Sequence, residues 1–186
     1  MQRKQFFPKI KEWIKRNKAI DVVLFGSYAR GKEKPKDIDL CILIKDKDEG
    51  KILDLMHSLG NLTDKLESKF HITALTSSQF LSGKNVSRAL LKEGISIIHN
   101  QEFSLNYGLI NKSIFEYSLR HFSSSKRVKF HYLLKGRYGS EGILKVVKGK
   151  FIGTGTITVP ADKEDLLKEI FDKWDVKYKI YKALFS

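Results

Sequence analysis

The sequence predicts an α/β (α+β) N-terminal domain, a mixed sheet flanked by helices, followed by a smaller, mostly helical C-terminal domain with a β hairpin. Three observations predict it. Between residues 18 and 100, short apolar runs and helical periodicity follow one another as strand, turn, strand, helix, strand, the order of packed α and β layers. A polar stretch from Asn100 to Asn106 then interrupts the pattern and sets the domains at 1–100 and 101–186. Beyond it, Gly149 to Pro160 alternates Ile152, Thr154, Thr156 and Thr158 around Gly153 and Gly155, which reads as a hairpin or an exposed wing.

Taken in order, Phe6, Phe7, Ile10, Trp13 and Ile14 recur at helical spacing, so Phe6 to Lys18 is an amphipathic helix with Pro8 in its first turn. Ile20 and Val22 to Phe25 form a largely β-branched run that ends at Gly26, a strand into a turn. The run from Ile38 to Ile44, entered by Asp37 and Asp39, is a second strand. Gly50 to Phe70 reads as one or two helices interrupted at Gly60-Asn61, and Asp46, Asp48 and Glu49 before it as a solvated turn. Phe70 to Thr76 is a third strand, Val86 to Lys92 a helix, and Ile95 to Ile98 a short strand. In the second half, Tyr107 to Phe122 reads as a helix on Leu109, Ile110, Ile114, Phe115 and Leu119. Ser123 to Ser125 can cap another helix running to Leu134. Ala161 to Trp174 is amphipathic, and Val176 to Tyr181 closes the chain as a strand.

The chemistry concentrates in Leu24-Phe25-Gly26-Ser27-Tyr28-Ala29-Arg30-Gly31, followed by Asp37-Ile38-Asp39-Leu40. A strand that runs into a Gly-Ser turn and a helix start frees backbone N–H groups, and with a serine hydroxyl they make a seat for phosphate. Gly26 lets a ligand approach the backbone. Asp37 and Asp39, two apart on a strand, point to one face. Two carboxylates held together call for a cation, and hard oxygen ligands suit Mg²⁺, which bridges carboxylates and substrate phosphates. Seat and carboxylate pair together imply metal-assisted phosphoryl or nucleotidyl transfer. The plain alternative is a surface turn with two solvated aspartates.

These residues resemble the nucleotidyltransferase superfamily of polymerase beta, poly(A) and CCA-adding polymerases, and they resemble most the minimal nucleotidyltransferases of prokaryotes. The family motif is an apolar strand, Gly-Ser, an Arg-Gly a few residues on, and Asp-x-Asp on the next strand. Gly26-Ser27, Arg30-Gly31 and Asp37-x-Asp39 supply it in order, within residues 18–100. The resemblance implies a nucleotidyltransferase-type sheet and transfer of an NMP from an NTP. Gly26 and Ser27 would hold the triphosphate, Arg30 would support the loop or the phosphates, and Asp37 and Asp39 would bind two Mg²⁺ and carry catalysis. The acceptor would be a nucleic acid, a protein or a small molecule.

The family's third carboxylate has no counterpart in Phe70-His71-Ile72-Thr73-Ala74-Leu75-Thr76, where its position falls near His71 or Thr73. Three outcomes stay open. His71 could serve as general base. Asp64 or Glu67 could reach in from the preceding helix. Or the chain binds nucleotide, or nucleic acid, without catalysis.

The bulk composition frames these readings. Hydrophobic residues at 41% supply a core, and the single Cys41 cannot form an internal disulfide. Residues 1–16 lack the apolar stretch of a secretory signal, and no segment reaches the ~18–20 apolar residues of a membrane span, so a cytoplasmic location and no membrane partner are expected. The net charge is +14, shared equally between residues 1–100 and 101–186. Such a surface attracts polyanions. Basic residues are densest after residue 107, and Arg120, Lys126, Arg127, Lys129, Lys135 and Arg137, interleaved with Phe130, Tyr132 and Tyr138, are candidate contacts to RNA or DNA. The helices, basic loop and Gly/Thr hairpin of this half loosely resemble a winged helix, by fold analogy alone. A helical accessory domain is the plain alternative.

Overall fold

The computed structural model describes residues 3–32, 35–45, 48–66, 68–83 and 85–186. The chain divides into two compact units, Met1–Gly108 and Leu109–Ser186.

In the first unit the order is α1 (Arg3–Asn17), β1 (Asp21–Phe25), α2 (Gly26–Ala29), β2 (Ile38–Ile44), α3 (Glu49–Thr63), β3 (Phe70–Thr76), α4 (Ser77–Leu81), α5 (Asn85–Glu93), β4 (Ile95–Ser96) and β5 (Gln101–Glu102), closed by a 3-10 turn at Phe103–Tyr107. The five strands lie in the order β3-β2-β1-β4-β5. β2 and β3 run parallel, while β1 is antiparallel to both β2 and β4. The sheet is mixed, as the sequence predicts, and helices flank it.

Period-two alternation sorts its side chains between two faces. Val22, Leu24, Leu40, Ile42 and Ile44 point to one face, where Phe6, Ile10, Trp13 and Ile14 of α1 and Leu59 of α3 cover them. The intervening Val23, Cys41 and Leu43 point to the other, under Phe80 of α4, Leu90 of α5 and Phe103. Both faces are apolar because both are covered. The Trp13 indole N–H donates to Ser58 Oγ at 3.0 Å and ties α1 to α3. Asp21, 3% exposed, accepts from the Ser96 hydroxyl at 2.6 Å and from the backbone N–H of Val22 and Ile98. Burial raises its carboxyl pKa, opposed by these hydrogen bonds.

Several boundaries differ from the periodicity. α1 starts about a turn before Phe6, so Pro8 lies inside it rather than in its first turn. α3 passes through Gly60-Asn61 unbroken and ends at Thr63. Asp48 is exposed, as a solvated residue would be, and is also the N-cap of α3, accepting from the N–H of Gly50 and Lys51. Asp46 lies outside the described residues.

In the second unit the order is β6 (Ile110–Ser118), α6 (Ser124–Lys135), α7 (Ile143–Val146), β7 (Lys150–Gly153), β8 (Thr156–Pro160), a 3-10 turn at Ala161–Lys163, α8 (Glu164–Lys173) and β9 (Lys177–Phe185). The four strands form a separate antiparallel sheet in the order β7-β8-β6-β9. Strand, helix, strand, strand, helix, strand, with the first strand central beside the third and fourth, is the split βαβ arrangement of ferredoxin-like folds. Here the structure corrects the reading of Tyr107 to Phe122 as a helix and, with it, the winged-helix likeness. Ile114 pairs Thr158 on one side and Tyr181 on the other, so the segment is a central strand. Phe115 and Tyr117 alternate toward a core of Phe122, Phe130, Leu134, Leu167 and Phe171. Long-range pairing on both edges outweighs the weak local helical spacing. Ser123 does cap α6, accepting from Lys126 N–H.

The β7–β8 hairpin turns at Gly155, which has φ +67°; a Cβ there would lie 2.6 Å from the Tyr117 carbonyl oxygen. Gly155 also accepts the Tyr117 N–H at 2.7 Å, which ties the hairpin to the end of β6. Gly155→Ala combines left-handed strain of about 1–2 kcal/mol with a backbone clash. Thermal denaturation should therefore show a loss of at least that size, and an unchanged midpoint would rule the clash out.

Candidate functional site

The site is built where β1 ends and β2 begins. β1 delivers Phe25 opposite Asp39 of β2, and His71 of β3 sits opposite Asp39 on the other side. Asp39 lies on the same face as Cys41 and Leu43, the face that α5 covers. Asp37 precedes β2 by one residue, two before Asp39, and both are partly exposed while Ile38 between them is buried at the opposite face.

Gly26, in α2, has φ +73°, and a Cβ added there would overlap Asp39 Oδ2 and come within 3.0 Å of its Cγ. The carboxylate therefore packs directly on the glycine backbone, and only glycine permits both the conformation and the contact. Ser27 follows, half-exposed, at the same turn. α2 is a single turn, too short to supply a full helix macrodipole. Any phosphate seat here rests on local backbone and the Ser27 hydroxyl.

Arg30 has a partner the motif did not reveal. Its Nη1 donates to Glu93 Oε2 at 2.6 Å and Oε1 at 2.8 Å, and the Gly26 N–H donates to the same Oε1 at 3.2 Å. Glu93 is the last residue of α5. An acid at a helix C-terminus opposes the helix dipole by ~0.3–1 kcal/mol, and that misplaced charge was the signal available in the sequence. Gly94 follows it because a Cβ there would overlap the Leu90 carbonyl and meet Val23 Cγ1 at 2.8 Å. The close approach brings the end of α5 against β1 and Glu93 to the Gly-Ser turn. Arg30 in this structure braces the loop.

A double-mutant cycle separates that role from phosphate contact. Arg30→Ala and Glu93→Ala should each lower stability, with a coupling energy of about 0.5–1 kcal/mol for a partly exposed charged pair. Nucleotide affinity should fall to a similar extent in both. A loss of affinity in Arg30→Ala alone would assign the guanidinium to the phosphates instead.

The two candidates for the third position differ in setting. His71 Nδ1 lies 3.3 Å from Asp39 Oδ1, with the imidazole 64% exposed and Asp39 23% exposed. Thr73 pairs Cys41 further along, and its hydroxyl donates to the Leu40 carbonyl at 3.4 Å. Asp64 is the C-cap of α3, whose apolar side packs on the opposite face of the sheet, and Glu67 lies outside the described residues. Among the described residues no group of three or more His, Cys, Asp or Glu side chains forms a metal cage. Cys41 is core, and burial pushes its thiol up to about 11, which leaves no thiolate near neutrality.

The candidate nucleic-acid contacts fall around α6. Lys126, Arg127 and Lys129 lie on it, Lys135 ends it, Arg137 follows it, and Arg120 precedes it after β6. Arg127 is used internally, donating to the carbonyls of Phe122 at 3.0 Å and Arg120 at 3.1 Å. Lys126 Nζ lies 3.9 Å from the centroid of the Phe122 ring. Among the described residues no helix is long and apolar enough to cross a membrane.

Compared with known proteins, residues 8–103 match the family model described as polymerase beta, nucleotidyltransferase. No curated protein matches the chain. Among solved structures, a chain of a mutant MntA–HpeT toxin–antitoxin is similar at 17% identity and a TM-score of 0.38, covering 69% of this chain and 98% of that one. A chain from a tri-AMPylated HEPN toxin in complex with MNT antitoxin, from Shewanella oneidensis, is 16% identical at a TM-score of 0.37, covering 72% and 100%. A third, from a toxin–antitoxin with AMP-PNP, is 18% identical at a TM-score of 0.38, covering 69% and 98%.

Proposed function

The chain belongs to the polymerase beta nucleotidyltransferase family, and from that premise we propose that it transfers an NMP from an NTP to an acceptor, with Mg²⁺ held by Asp37 and Asp39. The observation that carries the reading is the packing of the Asp39 carboxylate on the Gly26 backbone, with Asp37 two residues away. This sets one of the two carboxylates against the turn that would seat phosphate.

The donor set fits a hard divalent cation. Two partly exposed carboxylates at a glycine turn suit Mg²⁺, which keeps several waters and takes only one or two protein carboxylates beside substrate phosphates. Bound there, the metal would offset the charge that develops on the leaving pyrophosphate. The rest is the work of this chain's residues. Gly26 and Ser27 line the triphosphate, and Glu93 with Arg30 holds their turn. The acceptor oxygen bonds to the α-phosphorus as the bond to pyrophosphate breaks, and the acceptor gives up its proton. His71, whose Nδ1 lies 3.3 Å from Asp39 Oδ1, would take that proton.

A second reading, nucleotide binding without turnover, is favoured by β3 itself, because neither His71 nor Thr73, near which the family's third carboxylate falls, is an acid. One experiment divides the two. Each of the four NTPs is titrated with and without Mg²⁺ by calorimetry, and pyrophosphate release is then measured for any that binds. Mg²⁺-dependent binding with release supports transfer. Binding with no release, even with varied acceptors, selects the second reading, and no binding to any NTP sinks both.

A further inference from the structure

The second unit holds a cleft of about 920 Å³ between the end of β6, the β7–β8 hairpin and α6. Its chemistry is uneven. Arg120 stands on the β6 wall and Lys135 on the α6 wall, with His131 one helical turn before it. Phe151 of β7 lines the cleft beside α6: Lys135 Nζ is 5.4 Å from its ring centroid, and the His131 ring is 6.1 Å away at a 32° tilt. Glu116 also lines the cleft, and its carboxylate accepts the Tyr181 hydroxyl at 3.0 Å. Arg120, Lys135 and an aromatic ring thus line one cleft whose volume is in the range of pockets that hold small organic groups.

The walls are fixed, not incidental. Arg127 clasps the carbonyl of Arg120 and so holds the turn that presents it. The hairpin wall is pinned to β6 through Gly155 and Tyr117. Just past α6, Arg137 lies 4.9 Å from the Tyr132 ring and 4.8 Å from that of Tyr138, which is 92% exposed. An arginine against two exposed rings extends the same alternation of cation and π-face beyond the cleft.

We propose that this cleft is a binding site for single-stranded nucleic acid, taking an unpaired base against Phe151 with the adjoining phosphates between Arg120 and Lys135. Cations on two walls favour a polyanion, and an aromatic ring in the same cleft offers a face to an unpaired base. A duplex hides its base faces in its own stack and would offer the cleft only phosphates at the rim. The site is independent of transfer at Asp39, so it stands or falls by direct binding.

The test is fluorescence anisotropy on the full chain, using labelled 12-nucleotide single-stranded RNA and DNA and a 12-base-pair duplex, with unlabelled AMP as competitor. Single strands should bind with strong salt dependence and at least tenfold more tightly than the duplex. The Arg120→Glu/Lys135→Glu variant should lose at least tenfold. Lys163→Glu/Lys168→Glu, the same charge change near the start of α8, should lose less than threefold. Phe151→Leu, which keeps the apolar packing and removes the π-face, should lose about fivefold, with an unchanged circular dichroism spectrum as the check on folding. Equal binding of duplex and single strand, equal losses in the two charge variants, or no binding at all would overturn the proposal. So would AMP competing as well as the oligonucleotide itself, which would mark a mononucleotide pocket.

Discussion

Asp39→Ala is expected to lower nucleotidyl transfer by on the order of 10³-fold or more, the scale on which loss of a principal charge-stabilising group at an active site acts. The fold should survive. Asp39 pairs Phe25 and His71 through backbone bonds that alanine keeps, and the lost side chain is partly exposed. The melting temperature should move by only a few degrees, because surface changes of this kind stay within about 0.5 kcal/mol. Pyrophosphate release measured beside thermal denaturation gives both readouts. The double variant Asp37→Ala/Asp39→Ala should be no more active than the single one, since two ligands of one site act as a unit. Turnover that persists in the double variant would place any chemistry elsewhere.

Much of the first unit was legible from local pattern, and the reason is geometric. Leu40 to Ile44 is buried on both faces, so it appears as an unbroken apolar run, while Phe70 to Thr76 runs from a polar stretch straight into α4. Gly26, Ser27, Arg30, Asp37 and Asp39 are close in sequence, so their spacing already carries the turn and the carboxylate pair. Glu93 offered only the hint of an acid at a helix C-terminus; its place at the site was not legible, because it comes to Gly26 from 67 residues away, where Gly94 packs on Val23. β6 was misread for a related reason. Its strand character lies in partners at residues 156–160 and 177–185, and Ile110, Ile114 and Phe115 alone satisfy a helical spacing about as well. The cleft of the second unit follows the same rule: Arg120 and Lys135 were visible in a basic region interleaved with Phe130, Tyr132 and Tyr138, but Phe151 was not, because its convergence with them depends on the split βαβ topology.

Gly26→Ala is the substitution that tests the site's architecture as distinct from its charge. Alanine at φ +73° carries about 1–2 kcal/mol of strain, and its methyl would occupy the position of Asp39 Oδ2. Either the turn moves away from β2 or Asp39 leaves its rotamer, and both separate the phosphate seat from the carboxylates. A stability loss of about 2–3 kcal/mol is expected, with Mg²⁺-dependent NTP binding lost together with turnover. Gly31→Ala is the matched comparison. Gly31 also has positive φ, at +92°, but nothing lies within 4 Å of a Cβ placed there. Its alanine should show the backbone strain alone, about 1–2 kcal/mol, with nucleotide binding retained. Calorimetric titration and thermal denaturation of the two variants side by side therefore separate strain from contact. If Gly26→Ala binds NTP as well as Gly31→Ala does, the close approach of Asp39 to the turn is not what assembles the site, and the proposal of a joined phosphate seat and metal pair fails with it.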